Sequence, residues 1–123
     1  MKVNLIKKFS LEDLTSDGDT VIKHAGDFHV VTFEAGYQVA LKKDKDIKIK
    51  KSELKYHLND ILDLTKNMKE MEMFGWWYNE EDDYIYIDKK TIILTELRAA
   101  LYFAEEHQQL AVWDWKNNTE IRL

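Results

Sequence analysis

The chain has 123 residues, 45% hydrophobic and 33% charged, with a formal net charge of −5; this is globular composition, neither that of a disordered segment nor that of a helical membrane protein. It contains no cysteine and no proline, which excludes disulfides, thiolate metal sites, a cysteine nucleophile and slow prolyl isomerisation. The length predicts one compact domain, residues 1–123, burying roughly two-thirds of its unfolded surface. No apolar run reaches signal-peptide or membrane-span length, so a soluble, unprocessed chain is expected, with the cytoplasm its compartment.

Charge is divided unevenly. Residues 1–61 carry 11 basic against 10 acidic side chains, and residues 62–123 carry 7 against 13. An acidic half is repelled by a phosphate backbone, which disfavours direct nucleic-acid binding and suits a basic protein surface.

In chain order, residues 2–6 predict a short strand, and Ser10-Leu-Glu-Asp13 has the form of a capping box opening a brief helix. The turn-rich Thr15-Ser-Asp-Gly-Asp19 returns the chain to a strand near Thr20. Phe28–Glu34 and Tyr37–Leu41 have strand composition on either side of Ala35-Gly36, which predicts a hairpin with both faces partly apolar. Lys42–Lys51 holds six lysines and two aspartates. Ile47 and Ile49 alternate with lysine there, which predicts an extended edge whose lysines discourage pairing with other chains. As a nucleic-acid tether the run lacks arginine and interleaved aromatics.

Ser52 is the expected N-cap of a helix running to about Met68, with Leu54, Leu58, Ile61, Leu62 and Thr65 on one face and His57 beside that stripe. All four tryptophans follow, between Glu72 and Leu123. Met73–Tyr78 and Tyr84–Ile87 flank an acidic loop, so a hairpin is predicted with Tyr78 opposite Ile85, Trp77 opposite Tyr86 and Trp76 opposite Ile87. One face then carries Phe74, Trp76, Tyr78, Ile85 and Ile87, a core set. The other carries Met73, Trp77, Tyr84, Tyr86 and Asp88.

A two-layer domain of this size covers one face of such a hairpin easily. Trp77, Tyr84 and Tyr86 are therefore the candidate partner-binding anchors, an apolar patch of ~400–600 Å² if all three are open. Glu80, Glu81, Asp82 and Asp83 give it an acidic rim that would steer a basic protein. These four carboxylates lack the alternate spacing and central glycine of a calcium loop, so no metal is assigned to them.

Thr95 is the expected N-cap of a second helix reaching about His107, apolar around much of its circumference through Leu97, Ala100, Leu101, Tyr102, Phe103 and Ala104. A terminal hairpin closes the chain. A three-residue loop, Lys116–Asn118, would set Trp113 opposite Ile121, with Ala111, Trp113, Ile121 and Leu123 on one face and Val112, Asp114, Glu120 and Arg122 on the other.

Catalytic residue types are densest at His24, Asp27 and His29. A turn at Ala25-Gly26 would bring the histidines together, and with Glu34 or Asp27 they would make a two-histidine, one-carboxylate metal site. No phosphate-cradling glycine loop, nucleophile elbow or zinc-protease helix is present.

The predicted architecture is α+β, an antiparallel or mixed sheet of six to seven strands built mainly from hairpins, with two principal helices packed on it. In being short, cysteine-free, acidic and aromatic-rich, the chain resembles accessory or inhibitor proteins of phages and mobile elements, including anti-CRISPR proteins. That resemblance implies a noncatalytic protein-binding module, without cofactor, that occupies a basic surface of a host protein. The competing expectations are a small metal-dependent enzyme using His24 and His29, and a homodimer that uses the aromatic face on itself.

Overall fold

The computed structural model describes residues 2–41 and 46–123. Among these, nine strands form one antiparallel sheet. They are β1 (Val3–Lys8), β2 (Gly18–His24), β3 (Asp27–Phe33), β4 (Tyr37–Ala40), β5 (Ile47–Lys50), β6 (Met73–Asn79), β7 (Tyr84–Leu94), β8 (Ala111–Asp114) and β9 (Thr119–Arg122). Helix α1 (Leu58–Lys66) follows β5, and α2 (Leu97–Glu106) joins β7 to β8. The strand order is β1-β3-β2-β6-β7-β4-β8-β9, with β5 also on β7.

The sheet is curled, and chain length requires it. From Phe33 at the end of β3 to Tyr37 at the start of β4, four residues reach at most about 14 Å. Yet β2, β6 and β7 lie between these strands, a gap of about 19 Å in a flat sheet. Gln38 of β4 bridges the concave face. Its Oε1 accepts from Thr20 Oγ1 on β2 (3.1 Å) and from Trp115 Nε1 (2.9 Å), and its Nε2 donates to Thr91 Oγ1 on β7 (3.1 Å). It passes over Gly75 of β6, where a Cβ would stand 3.4 Å from Gln38 Nε2, at the edge of ordinary contact.

Both helices lie on the convex side. The larger core joins Val21, Phe74, Trp76, Ile85 and Ile87 of the sheet to Ile61 of α1, with Leu14 and Ile49. Phe9 meets Phe74 edge-on, ring centroids 5.4 Å apart, and caps this core. A second cluster packs Ala100 and Ala104 of α2 on Val39 and Val112. The small alanines let α2 approach the sheet closely. Its other apolar residues do not share that burial: Tyr102 and Phe103 are exposed, so the helix is covered on one side and not around its circumference.

The sheet has nine strands where six to seven were expected, and further local expectations are corrected. The strands Phe28–Glu34 and Tyr37–Leu41 do not pair; β3 lies between β1 and β2, and β4 between β7 and β8. The hairpin turn is instead Ala25-Gly26, where both residues have positive φ (53° and 82°), as a two-residue hairpin loop of the twist-matching kind requires. Glu70 reaches across to accept both backbone N–H groups of that turn. In the terminal hairpin Trp113 faces Glu120 and Val112 faces Ile121, one residue away from the predicted register. The Asp114 carboxylate accepts from the Lys116 and Asn117 backbone N–H groups (3.1 and 3.3 Å) and from Asn117 Nδ2 (2.8 Å), which lengthens the loop to four residues and turns Asp114 inward.

The helix expected from Ser52 is a 3₁₀ turn, Lys51–Tyr56, followed by α1, and Leu62 is exposed. Helix α2 begins one residue later than expected, with Glu96 at its N-cap. Of the lysine run, residues 42–45 lie outside the described residues. Ile47–Lys50 does form a strand, placing Ile49 in the core and Lys48 and Lys50 outward. No helix among the described residues is long and apolar enough to cross a membrane.

Phe74 is fully buried and Trp77 is 47% exposed, three residues apart on one strand. Phe74→Ala should therefore cost about 3–5 kcal/mol and Trp77→Ala about 1 kcal/mol or less. Urea unfolding of both variants checks this, and similar losses would mean that the Trp77 side of β6 is also covered.

Candidate aromatic docking face

The β6–β7 hairpin has the register that its alternating pattern predicts: Trp76 opposite Ile87, Trp77 opposite Tyr86, Tyr78 opposite Ile85 and Asn79 opposite Tyr84. Alternation then separates the side chains. Phe74, Trp76, Ile85 and Ile87 enter the convex-side core, and Trp77, Tyr84 and Tyr86 stand on the concave side, beyond the point where Gln38 closes it.

Trp77 and Tyr86 stack nearly parallel, ring centroids 4.5 Å apart at 11°. Tyr84 lies 6.5 Å from Tyr86. Strand β5 adds a neighbour that the sequence pattern did not associate with this face. Lys48, opposite Tyr86 in the ladder, places its ammonium 4.4 Å from the Tyr84 ring centre and 5.3 Å from that of Tyr86. The outward lysines of the alternating Ile-Lys stretch were visible in sequence, but the β5–β7 pairing that carries them here was not.

The acidic loop divides into two pairs. Asp82 accepts from the Tyr86 hydroxyl and, at 3.0 Å, from the Tyr84 backbone N–H. Asp83 accepts from the Tyr78 hydroxyl at 2.6 Å, and its positive φ of 61° turns the chain into β7. These bonds hold Asp82 below the ordinary carboxylate range, Tyr86 donating the largest share. They raise both phenols, Tyr78 to about 12 with Asp83 as the main cause. Glu80 and Glu81 remain exposed. Of the four predicted steering carboxylates, two fix the hairpin tip and two face solvent.

Gly18 decides the other flank of Trp77. It pairs with Trp77 across β2 and β6, with φ of 152° and so little room that a Cβ would fall 2.6 Å from the Trp76 carbonyl oxygen. A glycine opposite Trp77 leaves the indole without a side chain directly across from it on β2. Nothing in the local sequence pattern identified Gly18 as part of this face.

The histidine pair is also formed. The Ala25-Gly26 turn brings the His24 and His29 rings to 6.2 Å, but Asp27 lies 3.7 Å from Lys8. Among the described residues no group of three or more histidines and carboxylates is arranged to hold a metal ion. His57 sits 3.2 Å from Asp60, one turn along α1. No known family, curated protein or solved structure matches the chain.

At the inner end of this face lies Asp88, opposite Gly75 where the β6–β7 register shifts. Burial, reinforced by Asp46, pushes its carboxyl up to about 7. A carboxyl raised in the fold contributes stability that is complete below its unfolded value, near 4, and lost as pH rises through about 7. Asp88→Asn should therefore stabilise the protein at pH 8 by on the order of 1–2 kcal/mol, with little change at pH 4. Urea midpoints at the two pH values test this; equal effects at both would place Asp88 in an ordinary solvated site.

Proposed function

We propose that this protein is a noncatalytic protein-binding module that docks on a basic protein surface through Trp77, Tyr84 and Tyr86, with Glu80 and Glu81 steering the approach. The observation that carries this reading is the exposed indole of Trp77, stacked on Tyr86 at an end of the sheet that neither helix covers. Tryptophan and tyrosine are the side chains most enriched at binding hot spots, because each combines large apolar area with few rotatable bonds. Here the ring positions are set before binding. Stacking, the Tyr86–Asp82 hydrogen bond and the Lys48 contact hold Tyr86 against Trp77, so little side-chain freedom remains to be lost on docking.

Asp82 and Asp83 act in this reading as supports. They fix Tyr86 and Tyr78, while Glu80 and Glu81 supply long-range attraction to a basic partner. A role as a phage or mobile-element inhibitor that masks a nucleic-acid-binding surface of a host protein is compatible with this chemistry, since such a surface is basic and rich in arginine and lysine.

The Trp77→Ala, Tyr86→Ala double variant should remain folded by circular dichroism and lose partner capture by at least about tenfold, the consequence of removing hot-spot side chains worth 2 kcal/mol or more. Capture by immobilised wild type and variant, followed by titration of the purified partner against both, measures it. Equal binding by the two folded proteins would remove this face from the function. Concentration-dependent light scattering that wild type shows and the variant loses would make the partner a second copy.

A further inference from the structure

We infer that the open face of Trp77 receives an arginine side chain of the partner. The inference rests on the protein-binding reading above and names the chemistry of its central contact.

The β6–β7 hairpin contains the same arrangement twice, once on each side of the sheet. On the convex side, Tyr78 donates to Asp83 and carries the Lys51 ammonium 4.4 Å from its ring centre. On the concave side, Tyr86 donates to Asp82 and carries Lys48 at 5.3 Å, shared with Tyr84 at 4.4 Å. In each a carboxylate accepts from the hydroxyl of a ring that holds a cation over its face, so that the ring quadrupole and the nearby anion attract the same charge. Trp77 belongs to this lattice through its stack on Tyr86. Among the described residues, however, no cation lies over the indole.

Indole is the aromatic ring that binds cations most strongly, and Trp77 is the most exposed ring of the three. One of its faces is occupied by Tyr86. Toward β2 its cross-strand neighbour is Gly18, which presents no side chain. An exposed indole with glycine as its cross-strand neighbour suits a flat group that can lie parallel to the ring. Exposed acids lie at the same end of the hairpin: Glu80 and Glu81, three and four residues beyond Trp77. A guanidinium is planar, cationic and weakly hydrated, so it can stack on the indole while its edge N–H groups meet a carboxylate. A lysine ammonium is a compact, strongly hydrated point charge and gains less from a flat ring. A nucleic-acid base would stack equally well but would bring its phosphate toward these acids.

The test uses the whole protein with ¹⁵N-labelled tryptophan, the Trp77 indole N–H resonance being assigned by its loss in Trp77→Phe. Hexa-arginine, hexalysine and a thymidine dodecanucleotide serve as probes. Hexa-arginine should shift the Trp77 resonance saturably, binding about threefold or more tightly than hexalysine, and Glu80→Gln with Glu81→Gln should weaken it while the Trp113 and Trp115 resonances stay in place. Equal shifts from both peptides would reduce the contact to net charge and overturn the inference, as would a stronger response to the oligonucleotide. If neither peptide moves Trp77 but partner capture still depends on it, the arginine contact fails and the docking face stands; if capture is also independent of Trp77, both fail.

Discussion

Gln38 ties together parts of the sheet that a flat arrangement would keep far apart. One side-chain amide accepts from Thr20 on β2 and from Trp115 beyond β8, and donates to Thr91 on β7. Three of its four hydrogen-bonding positions are thus filled on the concave face, where an unmet amide would carry a substantial desolvation penalty. The bridge needs curvature, and the short β3–β4 connection imposes it. It crosses β6 at Gly75, which carries no side chain. The closed middle of the concave face, and so the location of the open aromatic end beyond it, follow from this one contact.

The same curl explains how the helices leave the Trp77–Tyr86 face free. A small α+β domain gains most by burying the side of its sheet that carries the continuous aliphatic and aromatic set. Here that is the convex side, where Phe74, Trp76, Ile85 and Ile87 meet α1, while α2 packs through its alanines on β4 and β8. The concave side is closed by its own curvature near Gln38. Trp77 lies on the same side of β6 as Gly75, two residues further toward the hairpin tip, past the reach of that closure.

Charge around the Trp77–Tyr86 face is organised locally and does not simply follow the net value of −5. Lys48 balances Asp82 at the tyrosines, Lys51 lies over Tyr78 beside Asp83, and the exposed glutamates remain at the tip. The half-buried carboxyl of Asp88, opposite Gly75, carries the opposite signature: with Asp46 nearby and desolvation dominant, it is raised where Asp82 is lowered. Hydrogen bonding to the charged form prevails at the solvated hairpin tip, and desolvation prevails at the register break.

Legibility in the sequence followed the range of the interactions involved. The β6–β7 hairpin was readable, down to Trp77 opposite Tyr86, because period-two alternation around a polar loop fixes both register and face locally. The turn that joins β8 to β9 was misread by one residue, since the Asp114 carboxylate that organises it competes with the side-chain pattern used to set the register. The false pairing of Phe28–Glu34 with Tyr37–Leu41 has a different cause. Its strands and turn residues were locally plausible, but β3 already pairs with β2 through the Ala25-Gly26 turn and with β1, while β4 finds its partners in the distant β7 and β8, and curvature lets a three-residue link join them. By itself the sequence determined the strand-rich composition, the alternating faces of the aromatic hairpin and the candidate anchors. Only the tertiary structure decided that Lys48 lies over Tyr84 and Tyr86, that Gly18 opens one side of Trp77 and that two of the four loop carboxylates are already committed, because each depends on which strand lies beside which and no local periodicity encodes that choice.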